Sequence, residues 1–356
     1  MLNRLVTLTR PLEIGGEHAL GIAIYADHTG AAFGARESDE EGVACVDDAA
    51  RGLVLWCDLW EKTRLPVARE WVKGLLAFCR HMQQADGRFL NFILDWDGVP
   101  NAAGITSRPD GASFWHARGA RAMAKVWKTF GDERAHADFL RASAHFDARP
   151  VASDVRAVQL IGALDAGISA ANVSRWSDEI AAQRVGDILL DNHDAAEPHL
   201  WAHLQEGVLA IAGTALDRPE LVDVARRSAE AYLLPIIDGG FALPTVQPYG
   251  AAAAVYATER LHRATGEARY RAAARNARAW FDGRNPANEA IYDRVAGRVA
   301  DGIDDRVVNR HSGAESNILG AQALFADVAG WLLRHPDSCS PAARSSRSSD
   351  VRSAAS

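Results

Sequence analysis

Two kinds of helix alternate along this sequence, and this alternation restricts the possible folds more than any other feature. Residues 65 to 84 place apolar side chains three or four positions apart, which predicts an amphipathic helix with one buried stripe. The segments 219 to 233 and 267 to 281 follow the same design, with charged side chains opposite the apolar face. Residues 248 to 265 are instead apolar on nearly every side, so this alanine-rich helix must be enclosed by neighbours.

Further helices of the two kinds give about eleven in all, joined mostly by short turns. Their predicted bounds are 47 to 63, 113 to 130, 132 to 146, 153 to 169, 173 to 190, 200 to 215 and 313 to 334. A two-layer ring of helical hairpins requires this alternation, whereas a solenoid would show a fixed sequence period, and none is present. The sequence therefore predicts an all-α toroid of hairpins, an (α/α)6-type barrel, in a single domain over residues 1 to 336.

Composition and charge argue against several classes of protein. The net charge is −7 and the basic residues are scattered, which argues against nucleic acid as a partner. No stretch approaches the ~18 to 20 apolar residues of a membrane span, and the N-terminus lacks a signal-peptide core, so a cytoplasmic location is expected. The four cysteines are too widely spaced to indicate a zinc site or a disulfide framework. Residues 337 to 356 are rich in Ser and Arg and are predicted to be disordered.

Two long loops, 84 to 112 and 282 to 312, interrupt the regular pattern and are rich in Asp, Asn, Gly and aromatic residues. Long loops of this kind in a compact domain usually carry function, so we expect them to border the mouth of a site. Within the first loop, Trp96 lies between Asp95 and Asp97. An aromatic ring can stack on a sugar while carboxylates bind its hydroxyls, although an exposed acidic turn would show the same residues.

Asp47 and Asp48 stand where a predicted inner helix begins, and Arg51 follows one turn later. One interpretation is structural, with Asp47 as the N-cap and Asp48 complementing the helix dipole. In the other, one aspartate faces a central cleft and binds sugar hydroxyls or transfers a proton. The sequence leaves both open.

His199 and His203 are spaced so that they would share one helix face, with Trp201 between them and Glu206 one turn further on. The cluster is interpreted as sugar-binding or acid/base groups, or as two packed histidines in a helix. It does not match the H-E-x-x-H pattern and no third ligand is apparent, so no metal is expected.

Two further helix starts carry polar residues of interest. Ser113 is predicted to cap a helix with Trp115 and His116 in its first turn. Ser312 and Glu315 have the spacing of a capping box at the start of the last predicted helix. That structural role alone would explain Glu315.

A distinctive pattern runs through residues 280 to 316. Its members are Trp280, Phe281, Gly283, Asn285, Tyr292, Asp293, Asp301, Gly302, Asn309, Gly313, Ala314, Glu315 and Ser316. This pattern resembles the signature of a family of bacterial six-hairpin glycosidase-like proteins, which often occur beside glycosyltransferases and other glycan enzymes. The stretches EEGVACVDDAAR, DGRFLNF and QPYGAAAAVYA agree with it, whereas the third helix and residues 201 to 212 match the family poorly.

The resemblance implies an (α/α)6 fold and a glycan ligand, but it does not select a reaction. Relatives in fold include glycoside hydrolases, unsaturated glucuronyl hydrolases, polysaccharide lyases and sugar epimerases. Three hypotheses follow: a glycoside hydrolase with two catalytic carboxylates, an epimerase or lyase in which a histidine exchanges a proton at carbon, and an accessory glycan-binding domain without activity. No cofactor is expected.

The candidate residues follow from these hypotheses. The catalytic carboxylates would be Asp48, Glu206 and Asp97, with Glu315 in reserve, facing one cavity about 5 Å apart for retention or roughly 6.5 to 9.5 Å apart for inversion. The histidines of the second hypothesis are His116, His199 and His203. The expected substrate-binding residues are Asp47, Arg51, Trp96, Trp115, His116, Trp201, His203, Asn309 and Glu315.

Overall fold

Helices dominate the part of the chain that the computed structural model describes, residues 1–29, 32–33, 41–192 and 194–341. In chain order they are α1 (Leu2–Leu8), α2 (Val46–Thr63), α3 (Pro66–Met82), α4 (Phe114–Phe130), α5 (Glu133–Ser143), α6 (Ser153–Ala166), α7 (Ala170–Ala182), α8 (Gln205–Ala215), α9 (Pro219–Ser228), α10 (Leu234–Asp238), α11 (Pro248–Thr265), α12 (Ala268–Ala279), α13 (Ala314–Ala323) and α14 (Phe325–Arg334). A π-helical turn over Ala229–Leu233 joins α9 to α10.

Six of these helices, α2, α4, α6, α8, α11 and α13, form an inner ring. Each contacts the next one along the chain, and α13 contacts α2, so the ring closes. The helix that follows each inner helix is its hairpin partner, and the first five partners are the shorter or more amphipathic helices of the outer layer. In the first hairpin, Trp56 of α2 stacks on Trp71 of α3 with ring centroids 4.8 Å apart, and both indoles are fully buried. The predicted alternation of enclosed and amphipathic helices is confirmed.

The strands are short and pair locally in the described part of the chain. All pairs are antiparallel: β1 (Thr9–Ile14) with β2 (Glu17–Ile22), β3 (Tyr25–Ala26) with β4 (Ala32–Phe33), β5 (Ala44–Cys45) with β6 (Phe92–Ile93), β7 (Arg184–Val185) with β8 (Ile188–Leu189), β10 (Tyr292–Asp293) with β11 (Arg298–Val299), and β12 (Gly302–Asp304) with both β9 (Thr245–Val246) and β13 (Val307–Asn309). The pair β5–β6 is the important one for function, because it fastens the first long loop to the residue before α2.

Three predicted helices differ from the structure, two in their bounds and the third by a break in its middle. The helix expected over 173–190 ends at Ala182, because a strand pair turning at Gly186 (φ +59°) follows it. The helix expected from residue 200 begins only at Gln205, after Ala202 with its positive φ of 58°. The single helix expected over 313–334 is two helices that meet at Leu324.

The described structure continues past residue 336, the predicted boundary between the domain and a disordered tail. Pro336–Cys339 form a 3-10 helix, and the side chain of Cys339 is fully buried. Its carbonyl accepts a hydrogen bond of 2.7 Å from the buried indole N–H of Trp71. The rest of the predicted tail, 342–356, lies outside the described residues. Among the described helices, none has both the length and the apolar character needed to cross a membrane.

Candidate functional site

A cavity of about 890 Å³ opens at the end of the ring where the inner helices begin. Four inner helices, α2, α4, α11 and α13, contribute residues from their first two turns. These are Asp47 and Arg51, then Phe114, Trp115 and Arg118, then Tyr249 and Gly250, and finally Glu315. Residues far apart in sequence therefore meet because consecutive hairpins bring all inner-helix N-termini to one end of the ring.

The rim of this cavity differs from the one expected. The first long loop contributes Asn91, Phe92 and Thr106, as the sequence predicts. The second long loop, 282–312, contributes no lining residue, although all of it is described. Its place is taken by the segments 197–201 and 243–247, which precede α8 and α11.

Two arginines occupy the centre of the cavity floor, and both are more than nine-tenths buried. The Arg51 guanidinium lies 2.9 Å from Asp48 through Nη1 and 3.1 Å from Glu315 through Nη2. The Arg118 guanidinium lies 2.8 Å from Asp47 through Nη1, and its Nη2 donates a hydrogen bond of 3.0 Å to the Tyr249 hydroxyl. These contacts form two triads, and the Arg51 guanidinium joins them into one network by lying 5.0 Å from the centre of the Tyr249 ring. The network fixes the arginines and carboxylates in place before any ligand arrives.

The structure corrects both predicted caps next to this network. The N-cap of α2 is Cys45, whose Sγ accepts from the Asp48 N–H, so Asp47 is free to turn toward Arg118. The N-cap of α13 is Gly313 and makes no side-chain cap, so Ser312 and Glu315 form no capping box. Ser312 instead accepts from the Asn317 side chain.

Asp48 itself is covered by the network. Its side chain is only 3% exposed, and its Oδ2 accepts from the Cys45 thiol at 3.5 Å. Burial raises the pKa of Asp48 to about 7, and the negative charges of Glu315 and Asp47 add to the rise while Arg51 opposes it. The carboxyl group therefore lies one layer behind the cavity surface.

One wall of the cavity is aromatic. The Trp201 ring lies 5.6 Å from Phe114 and 6.3 Å from Tyr249, and it is 42% exposed. The imidazole of His199 stacks on the same indole, with centroids 4.3 Å apart and planes 5° from parallel. Such an exposed ring offers a flat apolar surface of the kind that the CH groups of a sugar ring contact. Trp115 also lines the cavity and donates its indole N–H to the Phe89 carbonyl.

His199 is the histidine among the described cavity-lining residues, and it is about a third exposed. Its Nδ1 is 2.8 Å from the Trp201 carbonyl, so the proton of the neutral ring resides on Nδ1 and Nε2 keeps its lone pair. Nε2 is 3.6 Å from Asp154, whose pKa is raised to about 6 by burial and by the charge of Asp191. Asp191 fixes the segment by accepting the His199 backbone N–H at 2.7 Å.

Asp154, Asp191 and His199 can bring one ligand atom each to within 4.8 Å of one another, so this trio could hold a metal ion. Hydrogen bonds alone also account for the arrangement. Asp191 accepts from the His199 backbone, from the His203 ring and from the Gln205 amide, and Asp154 accepts from the Val155 N–H. The positions of the carboxylates therefore require no ion.

Two of the predicted site residues, His203 and Glu206, lie behind the cavity wall in a fully buried series of hydrogen-bonded side chains. The His203 ring lies between Asp191 at 2.8 Å and Glu206 at 2.9 Å, and Glu206 accepts from the Ser228 hydroxyl at 2.7 Å. His203 and Glu206 have no exposed surface, so neither contributes to the cavity lining. The expectation that His199 and His203 share a helix face is wrong, because both precede α8.

Four other predicted residues also lie away from the cavity lining. His116 is fully buried and bonded to the Ala142 carbonyl, and burial lowers its pKa to about 4. Trp96 packs under the Arg10 guanidinium at 4.5 Å. Asp97 accepts from the Val99 N–H in an exposed turn, and Asn309 lies in β13 and accepts from the His311 N–H.

Sequence reasoning missed Tyr249, Asp154 and Asp191 as candidates. Tyr249 belongs to the QPYGAAAAVYA stretch that resembles the family, and Asp154 begins an inner helix much as Asp47 and Asp48 do. Both could have been found by asking which polar residues open each enclosed helix. Asp191 lies two residues after the short strand β8 and one residue past the helix predicted over 173–190, and no signal in the sequence marks it.

Comparison with known proteins supports the fold and leaves the reaction undecided. No family model matches the sequence, and no curated protein is significantly similar to it. A sugar epimerase from a ruminal bacterium matches with a TM-score of 0.65 at 12% identity, covering 87% of this chain and 92% of the epimerase. A D-mannose isomerase matches with a TM-score of 0.65 at 11% identity, covering 91% and 96%. A family 76 glycoside hydrolase from Bacteroides thetaiotaomicron matches with a TM-score of 0.62 at 13% identity, covering 92% and 76%.

At these identities the likeness concerns the fold. The chain has the six-hairpin (α/α)6 fold of glycosidase-like proteins, as the pattern in residues 280 to 316 implies. The neighbours include both isomerising and hydrolysing enzymes, so the fold alone selects neither chemistry.

Proposed function

We propose that this protein is a carbohydrate-active enzyme that moves a proton at carbon in a reducing sugar, as a sugar epimerase or aldose–ketose isomerase does. One observation carries the proposal: the cavity combines a third-exposed imidazole, His199, with two buried guanidinium groups, Arg51 and Arg118. Proton abstraction beside a carbonyl needs a positioned base and a fixed positive charge at the developing oxyanion. The cavity supplies both.

The mechanism follows from the roles of these groups. A sugar ring would rest on Trp201 and open to its carbonyl form, with the carbonyl oxygen toward Arg51 and Arg118. Nε2 of His199 would remove the proton from the adjacent carbon, giving an enediolate whose negative charge the arginines stabilise. Return of that proton from His199 to the neighbouring carbon, with the proton of the C2 hydroxyl passing to the C1 oxygen, gives the ketose. Loss of the His199 proton to water, with delivery of a proton from water to the opposite face of C2, gives the epimer.

The carboxylates that line the cavity centre are less suited to catalysis by proton donation. Asp47 and Glu315 are each ion-paired with an arginine that also lines the cavity. Glu206 and Asp97, which are candidate catalytic carboxylates from the sequence, do not line the cavity. A sugar epimerase and a D-mannose isomerase share this fold, so the fold can accommodate such chemistry.

A glycoside hydrolase is the second candidate. The observation that favours it is the raised pKa of Asp48, about 7, next to the cavity carboxylate of Glu315 on the same guanidinium. A protonated acid beside an ionised one is the arrangement that glycoside hydrolysis uses. It would require Arg51 to move aside, since Asp48 is now covered.

The test is exchange of sugar hydrogen with solvent. The purified protein would be incubated in D₂O with glucose, mannose and cellobiose, and the C2–H signal followed by NMR. We expect deuterium to enter an unhydrolysed sugar and an epimer or ketose to form. His199→Asn should lower the rate by about 100-fold or more. The matched control is His136→Asn, because His136 also stacks on a tryptophan, Trp127, at 4.6 Å and 14°, but does not line this cavity.

The outcomes separate the two candidates. Release of a reducing end from an oligosaccharide, without deuterium at C2, would support the hydrolase and reject proton transfer. Exchange that persists at the same rate in His199→Asn would reject His199 as the base. Sugar binding without exchange or hydrolysis over this panel would favour the glycan-binding hypothesis instead.

A further inference from the structure

A second cavity, of about 590 Å³, lies at the opposite end of the ring, where the inner helices end. Arg51, Arg118 and Tyr249 line it as well, so one layer of side chains separates it from the first cavity, which we call the sugar cavity after its proposed ligand. Its wall carries a large excess of Lys and Arg over acidic residues, although the whole chain has a net charge of −7. We call it the basic cavity.

The acidic residues of the basic cavity are already engaged. Asp58 and Glu61 both pair with Lys125, at 2.7 and 3.0 Å, and Glu259 pairs with Arg278 on α12. Two arginines of the lining, Arg121 and Arg260, have no carboxylate within ion-pair distance anywhere in the described part of the chain. The Nε of each is buried and has no hydrogen-bond acceptor among the described residues.

The helix dipole does not explain these two arginines. Cations in the last turn of a helix compensate its negative end, and this effect falls off within that turn. It accounts for Lys62, Lys128 and Arg263, close to the ends of α2, α4 and α11. Arg121 and Arg260 lie further back, nine and five residues before the last residue of their helices, Phe130 and Thr265.

We propose that the basic cavity binds a phosphate group, either free phosphate or a phosphate ester, between Arg121 and Arg260. Guanidinium groups recognise tetrahedral oxyanions through paired N–H donors, and guanidinium groups without a carboxylate partner gain most from such a ligand. The cavity has room for the substituent of an ester as well as for the phosphate itself. This inference is independent of the reaction in the sugar cavity.

The experiment is a calorimetric titration of the full chain with inorganic phosphate and with glucose 6-phosphate, at constant ionic strength set by NaCl. We expect saturable binding that Arg121→Gln and Arg260→Gln each weaken by about tenfold or more. The matched control is Arg275→Gln, which also removes one charge but from an exposed position on α12 outside the basic cavity. It should change the dissociation constant by less than about twofold.

Every outcome decides the proposal. Tighter binding of glucose 6-phosphate than of phosphate identifies an ester as the ligand, and equal binding identifies free phosphate. Absence of saturable binding overturns the proposal, as does equal weakening in Arg275→Gln. A loss seen with Trp201→Ala but not with the Arg121 and Arg260 variants would place the ligand in the sugar cavity and also overturn it. Circular dichroism checks folding, and if one arginine variant fails to fold, the other decides.

Discussion

Replacing His203 by Gln tests whether ion pairs stabilise the buried side chains behind the cavity wall, Asp191, His203 and Glu206. His203 lies 2.8 Å from Asp191 and 2.9 Å from Glu206, and all three side chains are fully buried. Burial alone would lower the pKa of His203, but the two carboxylates outweigh it and raise the pKa from 6.5 to about 10. The imidazolium is therefore the form that the folded protein favours.

The magnitude follows from this change in pKa. A rise from 6.5 to about 10 corresponds to about 5 kcal/mol of stability, fully present below pH 6.5 and lost as the pH rises through about 10. Removing one partner of a buried ion pair independently costs about 3 to 5 kcal/mol. We therefore expect His203→Gln to be less stable than the wild type by about 4 kcal/mol at pH 6, and by only about 1 to 2 kcal/mol at pH 9.

The assay is urea denaturation followed by tryptophan fluorescence at several pH values between 6 and 9. Ser228→Ala is the matched variant, because it removes the hydrogen bond to Glu206 without touching the charges. It should cost about 1 kcal/mol at every pH. A stability gap between wild type and His203→Gln that stays constant over this range would refute the assignment of a charged imidazolium.

Three further perturbations test other parts of the structure. Trp201→Ala should weaken binding of a sugar by about tenfold, measured by calorimetry, because it removes the exposed ring of the cavity wall. Gly42→Ala should lower the free energy of unfolding by about 1 to 3 kcal/mol, since its Cβ would lie 1.9 Å from the Ile93 carbonyl oxygen; unchanged urea stability would contradict this contact. Deleting 337–356 should cost about 2 kcal/mol, because the buried Cys339 is lost with it; a deletion without effect would restore the predicted boundary at residue 336.

The helices could be predicted where local signals agree with the packing. The helix over residues 248–265 matches the structure at both ends, because Pro248 occupies its first position and Gly266 takes the left-handed conformation that ends it. The helix expected over 173–190 fails beyond Ala182, since its apolar residues continue at a spacing that a short strand pair also satisfies. Periodicity cannot separate these alternatives over so few residues.

The candidate site could be predicted in part for a topological reason. Asp47, Arg51 and Glu315 meet in one cavity because each lies in the first two turns of an inner helix, and the sequence marks where these helices begin. The partners of the arginines could not be predicted, since contacts such as Arg118 to Tyr249 join residues 131 positions apart. The burial of Glu206 likewise depends on where α8 begins, and the sequence predicts that start at residue 200 instead of Gln205.

The layer formed by Arg51, Arg118 and Tyr249 has a thermodynamic consequence of its own. Because the same guanidinium groups border both cavities, a charge placed on one side changes the potential felt on the other. If a sugar and an anion bind as proposed, occupancy at the two ends of the ring is linked. Linkage is reciprocal: the factor by which an anion changes sugar affinity equals the factor by which sugar changes anion affinity. Binding at one end of the ring would thus change the affinity for the ligand at the other end.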